Sequence, residues 1–140
     1  MRNHQSDEGG FTLVELLVVA VIIGVLSSIA IPAFAAQTRK GKVASLRAAL
    51  RSAATVQEQR IADDEPYAQA GLVGLAQLKA AGYVDTPAVE LTVVDDDMTA
   101  GGRGYCLRAS HASLPAADDL YLANTGPNAG RATSEPCVAS

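Results

Sequence analysis

From Phe11 to Ala36 the chain runs FTLVELLVVAVIIGVLSSIAIPAFAA, 26 residues carrying a single charge, Glu15. Wound as a helix, such a run is roughly 39 Å long, enough to cross a hydrocarbon core of about 30 Å. A transmembrane helix is the first expectation. Glu15 is then the first question. A charged Asp, Lys or Arg at the centre of a membrane helix costs roughly 2.5–3.5 kcal/mol, so a carboxylate kept there needs a partner or a task. Pro32 stops most soluble helices, but a membrane helix tolerates the freed carbonyl, so a kink is expected rather than an end. Ser27 and Ser28 can return a hydroxyl to the backbone nearby. Gly24 is a second weak point, where the backbone loosens or a neighbouring helix approaches closely.

Beyond Ala36 the character changes. Val43, Leu46, Leu50, Ala53, Ala54 and Ile61 recur mostly at three- and four-residue steps, with Arg39, Lys40, Arg47, Arg51 and Glu58 between them. That is the pattern of an amphipathic helix. An unbroken helix from Phe11 to about Ala62 is roughly 78 Å long, longer than a domain of about 105 residues is wide. Asp63-Asp64-Glu65-Pro66 ends it, because acidic residues oppose the helix dipole at that end and Pro66 disfavours helical geometry before it. The acidic triplet lacks the spaced ligand ladder of a calcium loop and reads as solvated loop.

The remainder is a small domain. GLVGLAQLKAAG (71–82) is expected to form a short helix with Leu72, Leu75 and Leu78 inward and Gly82 as its left-handed cap, after which Tyr83 and Val84 pack back. Val89–Val93 alternates apolar and polar as a half-buried strand does. Gly104–Ala109 and Leu120–Ala123 are the other strand candidates. DDDMTAGGRG (95–104) is glycine-rich but lacks the following helix and Lys-Ser/Thr pair of a phosphate loop, and reads as a hairpin turn. Cys106 and Cys137, an even count beyond a membrane segment, read as one disulfide formed in an oxidising compartment; two unrelated buried thiols are the alternative.

Charge narrows the function classes. The net charge of −4 and pI near 5.0 leave no overall footprint for nucleic acid. The local cluster Arg39, Lys40, Lys42, Arg47 and Arg51 has no aromatic residues interleaved for base stacking, and suits a solvated or lipid-headgroup-facing surface better. His4 and His111 lie on opposite sides of the apolar run, and no Ser-His-Asp set or metal-ligand spacing is visible. Neither an enzyme nor a cofactor or metal site is expected.

Gly10-Phe11-Thr12-Leu13-Val14-Glu15, followed by the apolar run and Ile31-Pro32, resembles the class III signal of type IV prepilins. The long helix, short sheet and cysteine loop resemble the pilin globular domain, an α+β fold. In that fold the N-terminal helix has a transmembrane front half and an amphipathic back half, packed on an antiparallel sheet of about three strands. GYCLRAS (104–110), with a second Cys near the end, looks most like pilins of high-GC Gram-positive bacteria.

The resemblance implies a leader, residues 1–10, removed by a prepilin peptidase between Gly10 and Phe11, with Phe11 then N-methylated. It implies a membrane and filament-core helix over 11–36 and an exported globular domain over 37–140. The precursor would cross the cytoplasmic membrane once, N-terminus inside, although Arg39, Lys40 and Lys42 beyond the span favour the opposite orientation when Lys and Arg alone are counted. An assembly ATPase and a platform protein would then move it into an extracellular filament with copies of itself and minor pilins. In the filament, Glu15 would pair with the amine of a neighbouring Phe11, and the stretch between Gly24 and Pro32 could lose helical structure. Two other readings stand beside the pilus: a pseudopilin of a type II secretion system or competence pilus, and a single-span anchor for an exported binding domain. A monomeric anchor gains nothing from Glu15.

Overall fold

A computed structural model describes residues 10–95 and 104–137. The leader positions 1–9, with His4, and the centre of the DDDMTAGGRG turn lie outside the described residues. Helix α1 spans Leu13–Ala62, α2 spans Gly71–Ala80, and strands β1 (Val89–Asp95), β2 (Cys106–His111) and β3 (Leu120–Ala123) follow, with a 3-10 turn at Ala116–Asp118. Two compact units divide between Thr38 and Arg39.

In the second unit, α1 buries Leu46, Ala49, Leu50, Ala53 and Val56, at the three- and four-residue steps read from the sequence. Ile61 departs from that expectation and is 42% exposed. The core side of the last turns is instead occupied by Gln57 and Arg60, which hold the chain as it returns. Gln57 Oε1 accepts the Ala68 N–H (2.8 Å), Arg60 Nε donates to the Pro66 carbonyl (3.1 Å), and Arg60 pairs with Glu65 (2.8 Å). The helix closes in a Schellman motif. The Glu65 N–H reaches the Arg60 carbonyl (2.8 Å) and the Asp64 N–H the Ile61 carbonyl (3.2 Å), with Asp64 left-handed at φ 60°.

Helix α2 ends the same way, with Tyr83 N–H to the Leu78 carbonyl (2.9 Å) and Gly82 N–H to the Lys79 carbonyl (3.1 Å), Gly82 sitting at φ 105°. Its inward face differs from the expected one: Leu72 is 87% exposed, while Leu78 is buried and Leu75 packs at the core edge. The reason is Gly74, through which the helix touches the loop before it. A Cβ on Gly74 would collide with the Gln69 carbonyl and lie 3.1 Å from Val93 Cγ2. Tyr83 is buried as expected, whereas Val84 is 79% exposed.

The sheet has order β1-β2-β3, antiparallel throughout. Two rows of cross-strand neighbours, Leu91–Ala109–Leu120 and Val93–Leu107–Leu122, face the core beside Leu46 and Leu50. Strand β1 runs two residues past its expected end at Val93, with a register shift between Val93 and Asp95. Tyr105 joins the core edge-on to Tyr67 (centroids 5.0 Å apart, planes at 71°). Burial, reinforced by the nearby Glu58 carboxylate, raises the Tyr105 hydroxyl pKa well above its ordinary value.

Cys106 and Cys137 form the disulfide, their Cα atoms 6.1 Å apart and 31 positions apart in sequence. In the chain-entropy picture a loop of that length contributes roughly 3.5–4 kcal/mol. Replacing both cysteines by serine is therefore expected to lower the urea midpoint of the oxidised protein substantially. Reductant should have no further effect on that variant.

Two consecutive carboxylates tie three elements. Arg39 of α1 grips Asp118 with both ends of its guanidinium (Nε–Oδ2 2.8 Å, Nη2–Oδ1 2.5 Å), while Arg108 of β2 donates Nε to Asp119 (3.0 Å). Hydrogen bonds from Arg39, and then its charge, hold the Asp118 carboxyl below the ordinary carboxylate range. A carboxylate with a depressed folded pKa adds stability above its unfolded pKa and loses that contribution as pH falls through the folded value. NMR titration should thus find Asp118 ionising below the ordinary aspartate range, and Arg39→Ala should return it toward that range.

The capped N-terminal helix as candidate functional site

In the first unit the apolar residues of α1 point outward all round. Phe11, Leu13, Val14, Leu16, Leu17, Val18, Val19, Val21, Ile22 and Ile23 are exposed, as are Val25, Leu26, Ile29, Ile31 and Phe34. The most apolar 18-residue window has mean hydropathy 2.7 and none of it is buried. A helix apolar on every side needs lipid or other helices around it. This is one helix long and apolar enough to cross a membrane.

Its polar end is organised. Thr12 precedes the first helical residue, and Glu15 is the third residue of the helix. Glu15 Oε2 accepts both the Thr12 N–H (2.9 Å) and the Thr12 hydroxyl (2.9 Å), while Thr12 Oγ1 accepts the Glu15 N–H (3.2 Å). That is a reciprocal capping box, which satisfies two of the helix's orphan donors and places a negative charge at the positive end of its dipole. Glu15 thus has partners within its own chain. The sequence carries the signal for it, since Thr-x-x-Glu ahead of an apolar run is a helix-start signature.

The helix continues through Pro32. The Ser28 hydroxyl donates to the Val25 carbonyl (2.7 Å), so one of the two expected serines does return to the backbone. Gly10 and Gly24 have open space where a Cβ would stand. Nothing else in the described chain requires glycine at either position. Gly10, Phe11, Glu15, Gly24 and Pro32 therefore share the first unit, and Cys106 and Cys137 belong to the second.

Elsewhere, a cavity of about 360 Å³ beside the disulfide is lined by Tyr121, Thr125, Asn128, Arg131 and Cys137 among others. No group of His, Cys, Asp or Glu suited to a metal occurs among the described residues. His111 Nδ1 accepts the Ser113 N–H (3.2 Å) within a local turn.

The profile for the prokaryotic N-terminal methylation motif matches residues 5–31. Over 144 aligned positions the chain is 31% identical to the type IV wide pilus major component PilA4 of Thermus thermophilus, covering 97% of this chain and 100% of that protein. The chain belongs to the type IV pilin family. No solved structure gives a significant match. For a pilin, a long N-terminal helix whose back half packs on a small antiparallel sheet is the expected α+β arrangement, and both elements are present. The relative comes from Thermus, so it lends nothing to the narrower likeness to high-GC Gram-positive pilins.

Proposed function

We propose that this pilin is a structural subunit of a type IV pilus, cut between Gly10 and Phe11, methylated on Phe11, and assembled through its N-terminal helix. The observation that carries this reading is the helix itself. Its apolar surface is fully exposed in the single chain, and bundling with copies of the same helix would bury it. The full-length relationship to a major pilus component supports a filament as the destination.

The same helix serves two environments. Lipid solvates it while the subunit waits in the cytoplasmic membrane, and neighbouring helices replace lipid on assembly. Glu15 pairs there with the Phe11 amine of a neighbour, fixing register more than adding net stability. Gly24, unconstrained by its own chain, and Pro32 leave the intervening turns free to extend. Prepilin peptidase, an assembly ATPase, a platform protein and minor pilins are the partners this route requires.

Mass spectrometry of sheared surface filaments tests the proposal. It should find a mature chain beginning at Phe11 and one methyl heavier than the plain sequence. Gly10→Phe should leave the leader attached and the filaments missing. Filaments built from uncut chains would overturn the assigned processing.

A further inference from the structure

The back half of α1 and the turn after it carry two sets of charges with no salt bridge that would answer them among the described residues. Lys40, Arg47 and Arg51, at steps of seven and four, share one exposed face, turned away from buried Leu46, Leu50 and Ala53. None of the three makes a salt bridge with another described residue. At the other end of the same helix, Asp63 and Asp64 are exposed and likewise without a salt bridge. They stand where the helix dipole is already negative, an arrangement that costs stability when no cation answers it. The last turn's basic residue, Arg60, is taken by Glu65.

We propose that these two sets are the halves of one interface between copies of this chain, the Asp63–Asp64 end of one subunit seating against the Lys40–Arg47–Arg51 face of the next. The inference rests on the filament reading above and adds to it the surface that sets the stagger. Because the halves are different patches on one subunit, the contact is heterologous and head-to-tail, and such contacts propagate into open helical assemblies unless the rotation closes a ring. The separation of the patches fixes the geometry. At 1.5 Å per residue, the acidic end lies roughly 18–36 Å along the helix from the three basic residues, so neighbours in contact are offset along the filament by about that distance.

A lipid surface explains the basic face less well. A headgroup layer about 5–8 Å deep is crossed by about five helical residues. Counted from Ala36, Lys40 falls within that reach, whereas Arg47 and Arg51 lie beyond it. Paired acidic and basic sets on one helix also call for each other, and lipid answers only the basic one.

The experiment is a charge exchange in the full-length chain, expressed in a strain lacking its own copy. Lys40→Glu, Arg47→Glu and Arg51→Glu reverse the basic face. Asp63→Lys with Asp64→Asn reverses the acidic end, asparagine being chosen because it tolerates the left-handed backbone at that position. Each set alone should lower sheared filament yield about tenfold or more, with the subunit still processed and in the membrane, since like charges would then meet where opposite ones had paired. The two sets combined should restore filaments. Arg47→Cys with Asp63→Cys should give a disulfide-linked ladder between subunits in oxidised filaments, a readout that needs no reversed charge. Unchanged yield from either single set, no recovery in the combination, or no ladder would overturn the interface, as would loss of membrane retention by the basic-face variant with filaments intact. Absence of filaments from the unsubstituted chain would overturn the filament reading along with it.

Discussion

Glu15→Gln is expected to abolish filaments while leaving the leader cut, the subunit in the membrane and the start of its helix intact. The expectation depends on separating two tasks that the carboxylate combines. As the third residue of the helix it accepts the Thr12 N–H and hydroxyl, and glutamine fills that role in a capping box nearly as well as glutamate. What glutamine lacks is charge. If docking requires an anion opposite a neighbouring Phe11 amine, the amide variant should fail as completely as Glu15→Val. Thr12→Val supplies the opposite control, since it keeps the charge but removes the side-chain half of the cap, at a cost of about 1 kcal/mol in helix stability. Its filaments should form at reduced yield. Electron microscopy of sheared fractions, with immunoblots for cut and membrane-bound subunit, reads all three variants. Normal filaments from Glu15→Gln would show the cap to be what matters and would sink the ion-pair account.

Gly74→Ala should be among the most damaging single substitutions in the globular unit, lowering stability by about 3–5 kcal/mol. The added methyl has nowhere to go, because the Gln69 carbonyl occupies its position and Val93 stands behind. For the methyl to fit, the loop 65–70 must lift. Lifting breaks the bond from Gln69 N–H to Gln77 Oε1 (2.8 Å) and strips buried Gln57 of the Ala68 N–H it accepts. An acceptor buried without a donor adds a desolvation penalty to the steric one. Urea denaturation followed by circular dichroism should show the midpoint collapse. Gly82→Ala offers a milder comparison, since its methyl meets nothing and only the left-handed backbone at φ 105° opposes it.

Much of this was legible in the residues because the signals were periodic. Three strands appear where alternation or turn-bounded apolar runs placed them, and the core side of α1 follows the three- and four-residue steps. Failures cluster where a small or polar residue took a position that hydrophobicity assigns to a large one. Leu72 was expected inward, but Gly74 lets α2 approach the loop and sheet so closely that the contact face rotates away from it. Ile61 was expected inward, but Gln57 and Arg60 claim that side because the chain doubles back and its carbonyls and N–H groups need partners. Such demands come from tertiary closure, and no local window contains them. The capping box is a different case. Thr12 and Glu15 spell it out at the spacing of a capping box, so it is legible from a window of four residues.

A pilus is pulled, and the bonds of Asp118 and Asp119 bear on how this subunit would carry the load. Adjacent in the chain, these two carboxylates hold different elements, Asp118 the start of the amphipathic stretch through Arg39 and Asp119 the central strand through Arg108. In a filament under tension, load reaching Arg39 would pass across one peptide unit to β2. There it meets ladders on both sides, and the Cys106–Cys137 bond locks the strand's first residue to the C-terminal segment. Those bonds join the helix, the central strand and the C-terminal segment into one connected set.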